Sequence, residues 1–267
     1  AEDTGEVESS WRKTERAVRL VISFVREDMG WHTRRWLPST MALIPLVYIY
    51  AYSKKGNPTK KSENEMAKYL QITGLRGVFR GGAETIVNAY VSAIRKSGPS
   101  FSTKTIGLLN HIPKNQKYKI GASEILYVSN PYSALMQIYL SILYRGHAKS
   151  WPSQREIRNV VTDQFPGDPI AVHHIFPRKF LQDNDHAVIN INRMPNYALI
   201  SQADNVQLGE TDPFDVWRSL SKTQKDSAST QLYFIAREEL LKIGAYYEFL
   251  TFRSEKLATE VNGALGF

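Results

Sequence analysis

Apolar residues recur at spacings of three and four through most of the chain, a period that predicts amphipathic helices. In Trp11 to Arg26 the positions are Val18, Leu20, Val21, Phe24 and Val25. Ser39 to Tyr52 is almost wholly apolar and reads as a buried helix, with Ser39 or Thr40 as its cap and Tyr48, Tyr50 and Tyr52 as core. Gly56 and Pro58 mark a loop over 54–61. Ser62 followed by Glu65 forms a capping-box pattern ahead of Met66, Tyr69 and Leu70. Gly81 and Gly82 interrupt the period, Ala83 to Lys96 resumes it, and Ser97-Gly98-Pro99 stops it. Phe101 to His111 reads as a short helix, 113–119 as a basic loop, and Pro131 to Tyr144 as a helix carrying Leu135, Ile138, Tyr139, Ile142 and Leu143.

The pattern changes near Ser150. Pro152, Pro166 and Pro169 punctuate a loop-rich stretch. Two short β-like runs follow, Ile170 to Ile175 and Tyr197 to Ser201. From Thr223 to Phe267 the helical period returns, with Leu240, Leu241, Tyr246, Phe249 and Leu250 as expected core. The expected fold is therefore mainly α, a helical body with a small α/β insert placed late. Two domains are expected, 1–150 and 151–267.

Composition sharpens this picture at three points. Cysteine is absent from the 267 residues, which excludes disulfides, thiolate metal sites and cysteine nucleophiles. The longest apolar run, Met41 to Tyr52, is too short to span a bilayer, and the acidic start, Ala1 to Ser10, is the reverse of a secretory signal. A soluble, cytoplasmic protein is expected, and the lack of an initiator Met suits a piece cut from something longer. The net charge of +8 is uneven: residues 31–120 hold 15 basic against 3 acidic residues, while 151–267 hold 12 against 15. Such a field attracts polyanions, and charge alone divides evenly between that reading and a solvated basic surface.

The candidate chemistry is concentrated in one segment. His173 and His174 are adjacent in Val172-His173-His174-Ile175-Phe176-Pro177. Neighbouring side chains on a strand point to opposite faces, so a division of labour is expected, one imidazole binding an ion and the other acting as a base. Asn196 lies 22 positions after His174, and Asn205 lies 9 after Asn196. Between them come a strand-like Tyr197-Ala198-Leu199-Ile200-Ser201 and a helix start at Gln202-Ala203-Asp204. Taken singly, His173, Asn196 and Asn205 have plainer roles, His173 as a strand histidine bonded to a carbonyl, Asn196 and Asn205 as turn and cap residues, and Asp204 is equally a helix-start charge or a ligand. His186 and Asp185 read as loop surface.

This order of strand, loop, strand and helix with polar groups at the junctions resembles the HNH nuclease motif. More narrowly, it is similar to the C-terminal nuclease module of GmrSD-type restriction and phage-defence proteins. His173-His174-Ile175-Phe176-Pro177, Asn196 to Ser201, Asn205, Asp212-Pro213 and the closing Phe249-Leu250-Thr251-Phe252-Arg253 carry the resemblance, over roughly residues 165–260. It implies a ββα-metal insert at about 165–215 that hydrolyses DNA phosphodiester bonds in restriction or anti-phage defence. By residue, it implies His173 and Asn205 as metal ligands, His174 as general base and Asn196 as the group orienting the base or its loop. Many HNH proteins have histidine where Asn205 stands, and a carboxamide oxygen favours one loosely held Mg²⁺ or Mn²⁺ over structural zinc.

Arg178 and Lys179, just past the turn, would grip the scissile strand or be simply solvated. Lys54, Lys55, Lys60 and Lys61 head the basic candidates for phosphate contact, which carry little sequence information. Gly74, Gly77, Gly81 and Gly82 do not form a phosphate loop, so no nucleotide cofactor is expected within the chain; a nucleotide-hydrolysing module upstream is the expected partner, besides DNA. An HNH nuclease acting on RNA and an inactive, basic DNA-binding module are the alternatives.

Overall fold

A computed structural model describes residues 4–54, 58–162, 169–184, 188–231 and 237–267. Lys55, Asp185 and His186, named above, lie outside the described residues. The chain is mainly helical, and the described residues contain one sheet, of two strands. Among the described residues no helix is long and apolar enough to cross a membrane.

Two compact units are present, 1–118 with 265–267, and 119–264. The first carries α1 (Thr4–Ser23), α2 (Ile44–Tyr52), α3 (Lys60–Leu75), α4 (Ala83–Lys96) and α5 (Phe101–Asn110). Helix α1 begins earlier than the apolar period suggested and runs into a π-helical turn, Phe24–Asp28. The residue that caps α3 is Thr59, whose hydroxyl accepts from the Ser62 amide at 3.2 Å; Ser62 itself is buried inside the helix. Thr40 makes no capping bond, and α2 is entered instead through a 3₁₀ turn, Met41–Leu43, with Pro45 in its first turn. Pro is at ease there because its missing N–H has no intrahelical acceptor to serve. The three tyrosines of α2 are not all core: Tyr52 is exposed, stacked on Tyr48 at 4.7 Å under the Lys13 ammonium.

The second unit contains α6 (Ala122–Leu126), α7 (Ala134–Arg145), α8 (Ile157–Thr162), β1 (Ile170–His174), α9 (Arg178–Asp183), α10 (Val188–Ile191), β2 (Tyr197–Ser201), α11 (Gln202–Leu208), α12 (Pro213–Ser219), α13 (Lys222–Thr230) and α14 (Tyr246–Leu265). Residue 150, expected as a domain boundary, lies well inside it. The reason is packing: Ser150 and Trp151 are fully buried, and Trp151 joins the core cluster of Ile175, Phe176, Ala198, Ile200, Tyr246 and Phe249. Prolines after Ser150 break the helical period without ending the unit. Phe176 is the centre of that core, with the Tyr246 and Phe249 rings at 4.9 and 5.0 Å. The core residues expected on 240–250 are all buried.

Candidate functional site

The two strands pair antiparallel in a register that sets His174 opposite Tyr197 and His173 opposite Ala198. β1 alternates, with Ala171 and His173 buried and Ile170, Val172 and His174 half-buried. The adjacent histidines therefore leave the strand on opposite faces, as the pleat requires. β2 is buried throughout. Its outer edge is closed by a side chain: the Gln231 amide donates to the Leu199 carbonyl at 2.7 Å and accepts from the Leu199 amide at 3.3 Å. A glutamine thus substitutes for a third strand at the point where an open edge would otherwise sit.

Asn196 is fully buried and ties the two strand ends together. Its Oδ1 accepts from the Phe176 amide at 2.8 Å, and its Nδ2 donates to the carbonyls of Phe176 and Ile191, each at 3.1 Å. Of the two tasks expected of Asn196, it performs the loop-holding one. The group bonded to His174 is instead Asn192, whose Oδ1 lies 3.0 Å from His174 Nε2. An amide oxygen only accepts, so Nε2 carries the proton and Nδ1 keeps its lone pair. The His174 ring packs edge-on against Tyr197, with centroids 5.1 Å apart.

On the opposite face, His173 Nδ1 lies 3.0 Å from Asn205 Oδ1 on α11. Helix α11 is placed by an unusually well-tied start. Ser201 caps it, accepting from the Asp204 amide at 3.1 Å. The buried Asp204 carboxylate accepts from the hydroxyls of Ser150 and Ser153, and the Ser150 hydroxyl also accepts from the Ser201 amide. Asp204 is thus committed to structure, which resolves the choice between helix-start charge and ligand. The same ties bring Trp151 against His173, with ring centroids 5.8 Å apart.

Burial disfavours the charged form of both imidazoles. Burial lowers His173 to about 4, with His174 pushing it further down and the Asn205 bond pushing it up. Burial also lowers His174, helped by the Arg178 charge and opposed by the Asn192 bond. A neutral imidazole has a lone pair for a proton or an ion. The shift has a consequence for stability. The unfolded imidazole takes up its proton near 6.5 and the folded His173 only near 4, so between these values the unfolded chain holds the extra proton and acid favours unfolding. Metal-free protein should lose about 3 kcal/mol across that window, full stability being present above 6.5. Urea midpoints at pH 7 and about pH 4.5 check this; an equally steep acid loss in His173→Gln would refute it.

The donor set fits a hard divalent cation. Adjacent ligands of an octahedral ion with bonds of ~2.1 Å lie roughly 3 Å apart, so Nδ1 of His173 and Oδ1 of Asn205 are spaced to share one. Cation binding there would displace the Nδ1 proton. Among the described residues no three His, Cys, Asp or Glu side chains converge, so this pair would leave other positions to water and phosphate. Of the pair, His173 is buried and Asn205 half-buried.

The other residues named from the sequence belong to both units. Arg178 is exposed, close enough for its charge to act on His174. Lys179 pairs with Asp183 at 3.1 Å. Lys54, Lys60 and Lys61 lie on the first unit and are exposed; Lys60 sits within 3.5 Å of Glu63 and 3.9 Å of Asp28. Of the wider basic set, Arg76 and Lys117 are spent on structure, Arg76 stacking on Tyr118 and Lys117 donating to the Leu109 carbonyl. Arg253 ends the closing segment that carried the resemblance, which implied no role for it. Fully buried on α14, it donates from Nη1 to the carbonyls of Pro195 and Tyr197 at 2.6 and 2.7 Å, on either side of Asn196. Its Nη2 reaches the Tyr139 hydroxyl at 3.1 Å.

No protein-family model, curated protein or solved structure matches this chain.

Proposed function

We propose that this chain is a metal-dependent endonuclease of the HNH type, hydrolysing DNA phosphodiester bonds through a ββα site made by β1, β2 and α11. One observation carries the reading. An imidazole and a carboxamide oxygen stand 3.0 Å apart on one face of the strand, and the next residue on that strand presents a second, neutral imidazole with its proton fixed on Nε2. The resemblance to GmrSD-type nuclease modules supports it, and supplies the restriction or anti-phage role, the cytoplasmic location and the upstream nucleotide-hydrolysing partner.

His173 and Asn205 would hold one Mg²⁺ or Mn²⁺. When bound, the cation supplies positive charge against the charge that develops on the phosphate and on the leaving oxygen. His174 Nδ1 takes a proton from water, and the oxygen so activated bonds to phosphorus as the P–O3′ bond breaks. The 3′ oxygen leaves with a proton from solvent, giving a 5′-phosphate and a 3′-hydroxyl. Asn192 keeps the His174 ring in the tautomer this step needs, and Asn196 with Arg253 holds the backbone that carries it.

Supercoiled plasmid incubated with Mg²⁺ or Mn²⁺, with EDTA controls and a structured RNA in parallel, tests this reading. Metal-dependent nicking is the expected result. Cleavage of the RNA alone would move the substrate to RNA, and retention on DNA without cleavage under either metal would leave an inactive binding module.

Lys54 and Lys61 make no ion pair among the described residues and are the better placed of the basic candidates. Replacing Lys54, Lys60 and Lys61 with Glu should weaken DNA binding most at low salt and reduce the slope of log affinity against log salt by up to about 3. An unaltered slope in a salt titration would remove that surface from the binding site.

A further inference from the structure

Soluble units seldom leave large apolar side chains in the open without a use for several of them close together. Among the described residues of the second unit, the large hydrophobics that are exposed are Tyr127 at 67%, Val206 at 69% and Tyr247 at 55%. All three belong to the candidate site or to its immediate support. Val206 follows Asn205 in α11. Tyr127 and Tyr247 are connected to the site through one short segment, 190–193.

That segment has two sides. Inward, the Ile191 carbonyl accepts from Asn196, and Asn192 holds His174. Outward, the Arg193 guanidinium lies over the Tyr127 ring at 5.0 Å and reaches the Asn190 carboxamide oxygen at 3.4 Å, while Asn190 Nδ2 donates to the Tyr247 hydroxyl at 3.2 Å. The result is a continuous line, Tyr127, Arg193, Asn190, Tyr247, running along the segment that supports the base. Its backbone is pinned at both ends. The Met194 amide donates to the Val128 carbonyl at 2.7 Å, beside Tyr127, and the buried Tyr246 hydroxyl donates to the Asn190 carbonyl at 2.7 Å, beside Tyr247.

We infer that this line is a stacking platform for unpaired nucleotides, so that the strand presented to His174 is single-stranded at or next to the cleaved bond. The inference rests on the nuclease reading above and specifies its substrate class. A tyrosine ring stacks on the face of a base, and in a duplex those faces are already covered by neighbouring base pairs. The Arg193 guanidinium, over the Tyr127 ring and joined to Tyr247 through the Asn190 carboxamide, supplies charge for a backbone phosphate beside the stacked bases. A loop, gap, overhang or melted stretch offers base faces and phosphates together, and an intact duplex keeps its base faces covered. Holding the rings in place beforehand also lowers the entropy lost when the strand is ordered.

The experiment uses the full chain in EDTA, so that binding is read without cleavage. Fluorescence anisotropy of an end-labelled deoxyoligonucleotide is compared with that of the same strand annealed to its complement. The single strand should bind more tightly. Tyr127→Ala and Tyr247→Ala should each weaken single-strand binding by about 5- to 100-fold and leave duplex binding within about twofold. Tyr127→Phe, which keeps the ring, should bind the single strand as the parent does, and Tyr247→Phe, which keeps the ring but loses the Asn190 tie, should fall between the parent and Tyr247→Ala. Thermal melts verify that these surface variants are folded. Single-strand affinity untouched by either alanine, equal losses for both DNA forms, or a duplex preference in the parent would each overturn the platform. Cleavage assays report separately on the nuclease reading: a chain that nicks plasmid yet ignores the tyrosine changes keeps its activity and loses the platform. A chain that stacks single strands but never cleaves does the reverse.

Discussion

Replacing His174 with alanine should lower the rate of metal-dependent DNA nicking by about 10²- to 10⁴-fold, the usual contribution of a positioned general base. The geometry makes the outcome specific to the chemical step. His174 is half-buried, its removal vacates no part of the Phe176 core, and its hydrogen bond is to Asn192, itself half-buried and able to turn to solvent. The variant should therefore melt close to the parent and bind DNA as the parent does. Substitutions at the proposed ligands should behave differently. His173→Ala and Asn205→Ala should shift the dependence on metal concentration, so that part of the lost rate returns as Mn²⁺ is raised, whereas His174→Ala should show no such recovery. Initial nicking rates across a metal titration separate the two behaviours. A His174→Ala rate within tenfold of the parent would remove His174 from the reaction.

Arg253→Leu should be the most destabilising single change near the site, by about 4 kcal/mol, since two buried carbonyls lose their donor at ~1–3 kcal/mol each and the guanidinium's other bonds go with them. Those carbonyls belong to Pro195 and Tyr197, and they flank Asn196, so the loss strikes the junction that carries the strand pairing. Arg253→Lys should recover only part of the difference. One ammonium cannot reproduce a planar fork that meets two carbonyls from one nitrogen and the Tyr139 hydroxyl and Gln231 carbonyl from another. Urea unfolding monitored by tryptophan fluorescence measures this, and a lysine variant as stable as the parent would show that the fork geometry is immaterial.

The two predictions divide the site between its parts. His174 contributes chemistry and little stability, and Arg253 the opposite. His173 stands between them: it is buried against Trp151 at a cost that appears below pH 6.5, and its Nδ1 faces half-buried Asn205.

What local chemistry encodes was legible from the residues. The limits of β2, Tyr197 to Ser201, and of α4, Ala83 to Lys96, match their apolar and glycine punctuation. Strand alternation sets the two histidines on opposite faces. These limits and faces follow from periods of two and 3.6 and from turn residues, which act over a few positions. The pairing of His173 with Asn205, 32 residues away, was implied by the nuclease resemblance alone, and the two side chains meet at 3.0 Å. Only the tertiary structure decided the rest. Asn192 rather than Asn196 holds His174; Thr59 rather than Ser62 caps α3; Gln231 closes the edge of β2; Asp204 is taken by Ser150 and Ser153; and residue 150 lies inside a unit rather than between two. Each of these depends on a side chain meeting a distant backbone group, or on one of two nearby hydroxyls or amides winning a contact. Such bonds leave no periodic trace along the chain, because the partner is chosen by where packing brings the backbone and not by the residues next to it.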